Sequence, residues 1–140
     1  MVDAAKIISP EFGEAVAAII DSARRRRIAR RAVEAAVNRT GIAAEPVVRA
    51  VLAQTMWGFS SDIRARAAGL AEEFDRGADA ANLVGDEDRY DDQFMKARAA
   101  TALTNFVSAV PDGMLSDTLY EAFHAVDNDE TLLWEWIQEP

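Results

Sequence analysis

Apolar residues recur along this chain at intervals of three and four, and no convincing strand pattern interrupts them. Ile63, Ala67, Leu70 and Phe74 are spaced by four, three and four. Met95, Ala99, Ala102, Leu103, Phe106, Val107 and Val110 form a second such stripe, and Phe12, Val16, Ile19 and Ile20 a third. That period lines residues along one face of an α-helix, and a helix with one apolar face must bury it against another. Alanine, the strongest helix former, occurs 28 times in 140 residues. The expected fold is all-α: a compact bundle of about five to seven helices with no sheet. The length suits one helical domain, 1–140, large enough to hold a core without covalent staples.

Capping and breaking residues divide the chain. Ser9 and Pro10 suit an N-cap and a first helical position. The apolar face of the following segment, Ile28 to Val37, is rotated by about a quarter turn from that of the first. A kink or break is therefore expected near residues 21–25, where Asp21 or Ser22 can cap a new start, and the segment from about Arg26 to Asn38 reads as helix. Gly41 is placed to end that helix in the left-handed conformation. A further helix starts near Glu45 and Pro46 and carries Val47, Val48, Val51, Leu52 and Met56 up to an interruption at Gly58. Ser60 or Ser61 caps the next one, which Gly77 is expected to end, leaving an irregular connection near 77–88. Asp86, Glu87 and Asp88 suit the positive end of a helix over 89–110. Residues 111–113 read as a turn, Ser116 or Asp117 as a cap, and Asp127 to Asp129 as a break before a last short helix, TLLWEWIQ.

There is no cysteine, which excludes disulfides, thiolate metal sites and a cysteine nucleophile. No apolar run approaches the roughly 18 residues of a membrane span, and no basic-flanked apolar leader is visible. These features point to a soluble cytoplasmic protein with no membrane partner. The excess of alanine, and of arginine (13) over lysine (2), points to a GC-rich bacterial genome.

Charge is unevenly spread. Residues 1–70 carry 11 basic and 7 acidic side chains, residues 71–140 carry 4 and 17, and the whole chain carries −9. Six arginines occupy residues 24–31. On one helix Arg24, Arg27, Arg30, Arg31, Glu34 and Asn38 share a polar arc, with Arg25 and Arg26 nearer the apolar side. Three uses of this cluster are distinguishable. It can be a solvated face with local pairs, such as Arg30 with Glu34 and Asp21 with Arg25, each worth about 0.3–0.5 kcal/mol. It can dock on an acidic surface, where the planar guanidinium pairs with carboxylates through two bonds. It can meet nucleic acid, which a net charge of −9 disfavours at long range.

The nucleic-acid alternative has a specific form, a helix-turn-helix-like segment at 28–57. Its second helix would begin with Ala43, Ala44, Glu45 and Pro46, none of which donates a side-chain hydrogen bond, and only Arg49 is a good base reader. Candidate chemistry is sparse. Glu121 and His124 have the E-x-x-H spacing of di-iron bundles, but one motif completes a site only across a dimer, so no metal is assigned. Residues 86–92 and the stretch from Asp127 fail the calcium-loop pattern at its glycine position. No phosphate loop, nucleophile elbow or zinc motif is present, so no catalytic residue and no cofactor is assigned. At the C-terminal end Leu133, Trp136 and Ile137 share a helical face while Trp134 points away. The segment either closes the bundle or offers a tryptophan to a partner, and Trp57 is expected in the core.

The function expected from this pattern is that of a non-catalytic helical protein-interaction module, an adaptor or inhibitor acting through charged surfaces. Its partner is another protein or a second copy of itself. Arg24, Arg27, Arg30, Arg31, Trp134 and Trp136 are the expected partner-binding residues.

Overall fold

The computed structural model describes residues 4–108 and 113–138. Among them the chain forms eight α-helices and no strand: α1 (Ala4–Ile8), α2 (Pro10–Ala17), α3 (Ser22–Thr40), α4 (Pro46–Ala53), α5 (Ser61–Leu83), α6 (Glu87–Phe106), α7 (Met114–Ala125) and α8 (Glu130–Ile137). No helix among the described residues is long and apolar enough to cross a membrane. Val110, Pro111 and Asp112, expected in the α6 stripe and the following turn, lie outside the described residues.

The sequence-encoded caps account for most helix starts. The hydroxyl of Ser9 accepts from the Phe12 N–H (3.1 Å), and Pro10 opens α2. The carboxylates of Asp21, Asp86 and Asp129 accept from main-chain N–H groups in the first turns of α3, α6 and α8. Ser60 does the same for α5. Each cap satisfies a donor that the helix leaves unpaired. Gly41 ends α3 at φ 80°, as its position suggested.

α3 is the central helix. Ile28, Ala29, Ala32, Val33, Ala36 and Val37 are all fully buried, against α6, α7 and α8. α6 lies between α5 and α7, and Ala99, Ala100 and Ala102 let these helices approach closely around Leu103 and Phe106. Leu115 and Leu119 of α7 fill the space opposite, and Leu133, Trp136 and Ile137 of α8 close one side.

Several boundaries differ from the expectation. The break between α2 and α3 falls at residues 18–21, slightly before the expected 21–25, and Asp21 caps the new start, so Ile20 lies past the end of α2 and is exposed while Ile19 stays in the core. Met56 is not on α4, which stops at Ala53; it lies in the following loop and is 79% exposed. Gly77 does not end α5. A helical glycine costs only about 1 kcal/mol relative to alanine, and Ala78, Ala80 and Ala81 carry the helix onward. The missing side chain also makes room for Gln93 of α6, which lies where a Cβ would stand. The irregular connection expected near 77–88 therefore shrinks to residues 84–86, turned by Gly85 at φ 71°. α7 begins at Met114 behind Gly113 (φ 79°), so neither Ser116 nor Asp117 is its cap, and Ser116 is buried within the helix.

The α5–α6 hairpin extends beyond the bundle. α5 packs mainly on α6 and to a smaller extent on α4. The continuous core takes in Ala67, Leu70 and Ala71 of α5 and residues of α6 from Ala99 onward. Ala78, Ala81 and Ala97 are buried only in the hairpin's own seam, apart from that core.

A candidate docking cleft beside the arginine helix

The fold gives the clustered arginines different tasks. Arg24 donates through Nη2 to the main-chain carbonyl of Ile137 at the end of α8 (2.9 Å). Arg25 donates through Nη1 to the Ile19 carbonyl (2.7 Å) and holds the α2–α3 turn. Arg30 is fully engaged: Nε on Glu34 (2.9 Å), Nη1 on the Gln54 carbonyl (3.0 Å) and Nη2 on the Leu52 carbonyl. These carbonyls lie at and just beyond the C-terminus of α4, where the helix dipole favours a cation. Arg31 is half-buried. Arg27 is exposed, with no hydrogen bond or ion pair to the described residues.

Arg26 leads to a feature that the helical stripes did not reveal. Its guanidinium lies over the Trp57 ring, 5.2 Å from the centroid. Trp57 is not in the core but 40% exposed, set edge-on to Phe59 (5.5 Å) and to buried Phe106 (5.2 Å). The loop that carries it is pinned at both ends. Gln54 donates through Nε2 to the Met56 carbonyl (2.8 Å) and to that of Gly58, and Arg64 donates to the Phe59 carbonyl. Gly58 at φ 109° provides the left-handed bend between the two aromatics.

Between this loop and α3 lies an open cleft of about 230 Å³ whose walls include Arg26, Arg27, Met56, Trp57 and Phe59. A shallower depression lined by Arg27, Arg30, Arg31 and Glu34 continues from it along α3. One end is apolar and the other cationic, a combination that suits an apolar side chain flanked by carboxylates. The cleft leaves no periodic signal in the sequence because its apolar residues lie in a loop and so have no helical period. The signal present was a run of Met56, Trp57 and Phe59 interrupted by glycine, which a buried helix would not carry.

The remaining candidate residues are not part of this cleft. Trp136 is 2% exposed in the core, so it is unavailable as a surface anchor in the folded chain. Trp134 is half-buried, edge-on to Phe12 at 5.3 Å, and lines a separate depression with Glu11 and Glu130. Arg24 and Arg30 serve main-chain carbonyls, which leaves Arg27 as the member of the expected quartet best placed for a partner.

Glu121 and His124 gather no further metal-ligating side chain among the described residues. No group of three or more potential metal ligands occurs among the described residues. Glu121 instead accepts from Arg98 Nη1 (3.0 Å), whose Nη2 reaches Asp75 (3.0 Å). This bridge ties α5, α6 and α7 together where the hairpin leaves the bundle. His124 lies edge-on to Tyr120, 4.6 Å between ring centroids. Burial raises the Glu121 carboxyl above the usual carboxylate range, and the opposing pull of Arg98 offsets this only in part. The folded protein thus holds this proton more tightly than the unfolded chain. Its contribution to stability is full below the unfolded value and is lost as pH rises through the raised folded one. Glu121→Gln, which still accepts from Arg98, is expected to gain stability relative to wild type between about pH 5 and pH 7. Urea unfolding midpoints at both values check this, and an unchanged difference would contradict the dominance of burial.

Compared with protein-family models, curated proteins and solved structures, the chain matches none.

Proposed function

We propose that this chain is a non-catalytic helical protein-interaction module that docks an acidic, apolar-tipped protein surface in the cleft between α3 and the 54–60 loop. The observation that carries this reading is the pairing of exposed Arg27 with exposed Met56 and Trp57 around one cleft. Guanidinium groups steer an acidic partner and fix its orientation, while exposed ion pairs add only about 0.2–1 kcal/mol each. The apolar wall supplies the anchor, as buried tryptophan and arginine do at binding hot spots. An adaptor or inhibitor acting inside a bacterial cytoplasm fits a cysteine-free chain rich in arginine and alanine.

The test is affinity capture from lysate of the source cells, with and without nuclease, using the native chain and an Arg27→Glu/Met56→Asp variant. Both substitutions are at exposed positions, and circular dichroism should show unchanged helix. A protein captured in near-equal amount, resistant to nuclease and lost in the variant, is the expected result. Recovery that vanishes with nuclease would overturn it in favour of nucleic-acid binding by residues 28–57, where Arg39 and Arg49 are exposed.

A further inference from the structure

We infer that the surface taken by the cleft is the tip of the α5–α6 hairpin of a second copy of this chain, so that copies associate head to tail. This rests on the docking role proposed for the cleft. The tip presents Leu83 and Val84, 87% and 77% exposed, at the far end of an element that leaves the core. Around them the hairpin is strongly acidic: residues 72–92 carry nine acidic and two basic side chains. Asp86, Glu87 and Asp88 follow the two apolar residues after a single glycine, Gly85. The hairpin tip is therefore apolar with a carboxylate collar, and the cleft is apolar with a guanidinium rim. Within the described residues, this is the pairing that covers the exposed apolar side chains of both surfaces while matching opposite charges.

The two surfaces cannot meet within one molecule. α5 begins next to the cleft, one residue after Ser60, and runs without a break to Leu83. Its 22 helical rises place the tip roughly 33 Å from its own cleft. Only another molecule brings a tip to a cleft. Such a contact uses different patches on the two copies, so it either closes into a ring, of which a reciprocal two-fold pair is the smallest, or grows into an open chain. A two-residue tip in a small cleft buries little area, so the contact is weak and salt-sensitive.

Sedimentation velocity on the full chain tests this with two variants at exposed positions: a tip variant, Leu83→Asp/Val84→Asp, and a cleft variant, Arg27→Glu/Met56→Asp. The wild type is expected to gain mass with concentration and to lose that gain when salt rises from about 50 mM to about 500 mM. Each variant alone is expected to stay monomeric. An equimolar mixture is expected to form a species of two chains and nothing larger, because one intact tip meets one intact cleft. A wild type that stays monomeric at every concentration and salt would overturn self-association. The docking role itself would still stand if a different protein is captured in an Arg27-dependent way. A wild type that associates while either variant also associates, or while the mixture stays monomeric, would place the interface elsewhere and overturn the assignment.

Discussion

Phe106→Ala is expected to destabilise the chain by about 3–5 kcal/mol, a large share of the total stability of a domain this size. Phe106 is the last residue of α6 and among the largest fully buried side chains. Its ring meets Trp57 at 5.2 Å and Phe59 at 5.7 Å between centroids. Truncation removes apolar area from the core and leaves a void on the inner wall of the cleft. Two readouts should therefore move together. The urea midpoint should fall, and Trp57 fluorescence should become more accessible to a soluble quencher even where the protein remains folded. Leu83→Ala is the control: Leu83 lies at the end of the hairpin outside the continuous core, 87% exposed. It should cost under about 1 kcal/mol and leave Trp57 unchanged. A Phe106 variant with normal stability, or with a shifted midpoint and unaltered quenching, would contradict the role of this ring as the floor of the cleft.

Arg30→Ala is expected to cost about 2–3 kcal/mol, far more than a surface ion pair would. The side chain donates to two main-chain carbonyls that terminate α4 and to Glu34. Without it those carbonyls lose a charge-assisted donor and the 54–60 loop loses its attachment to α3. Arg30→Lys should recover only part of the loss, since one ammonium cannot reproduce the planar fork that spans Leu52 and Gln54. Urea unfolding of both variants measures this. Equal stability of the Lys variant and wild type would show that charge alone suffices. Arg24 likewise holds the Ile137 carbonyl, so a variant that reverses Arg24 and Arg30 along with Arg27 would disturb the fold as well as the docking face.

The helical architecture was legible because its signals are local. Ser9, Asp21, Gly41, Ser60 and Asp129 act as caps or terminators through groups within four residues, and sequence displays those directly. Gly77 misled because whether a helical glycine terminates a helix depends on what packs beside it, here Gln93 from α6. The arginine cluster was legible as a charged arc but not as a set of distinct roles. The pair of Arg30 with Glu34 was legible, but the main-chain carbonyls that Arg24 and Arg30 also hold lie 113 and 22–24 residues away, and a carbonyl leaves no mark in the sequence. Trp57 and Met56 read as inward-facing in the sequence because apolar residues usually are. Only the fold shows that their loop runs past α3 beside Arg26 and Arg27. The exposed tip at Leu83 and Val84 was hidden for the same reason: its exposure follows from the hairpin continuing beyond the core.

The most direct test of the docking role is photo-crosslinking in the source cells with p-benzoylphenylalanine at position 56, in the native background and with Arg27→Glu. Met56 is exposed at the mouth of the cleft, so the probe sits in the contact without disturbing the core. A discrete protein adduct that disappears with Arg27→Glu is the predicted result. Adducts to nucleic acid, or an absence of any adduct when the same probe at an exposed position away from the cleft behaves identically, would contradict the docking role of the cleft.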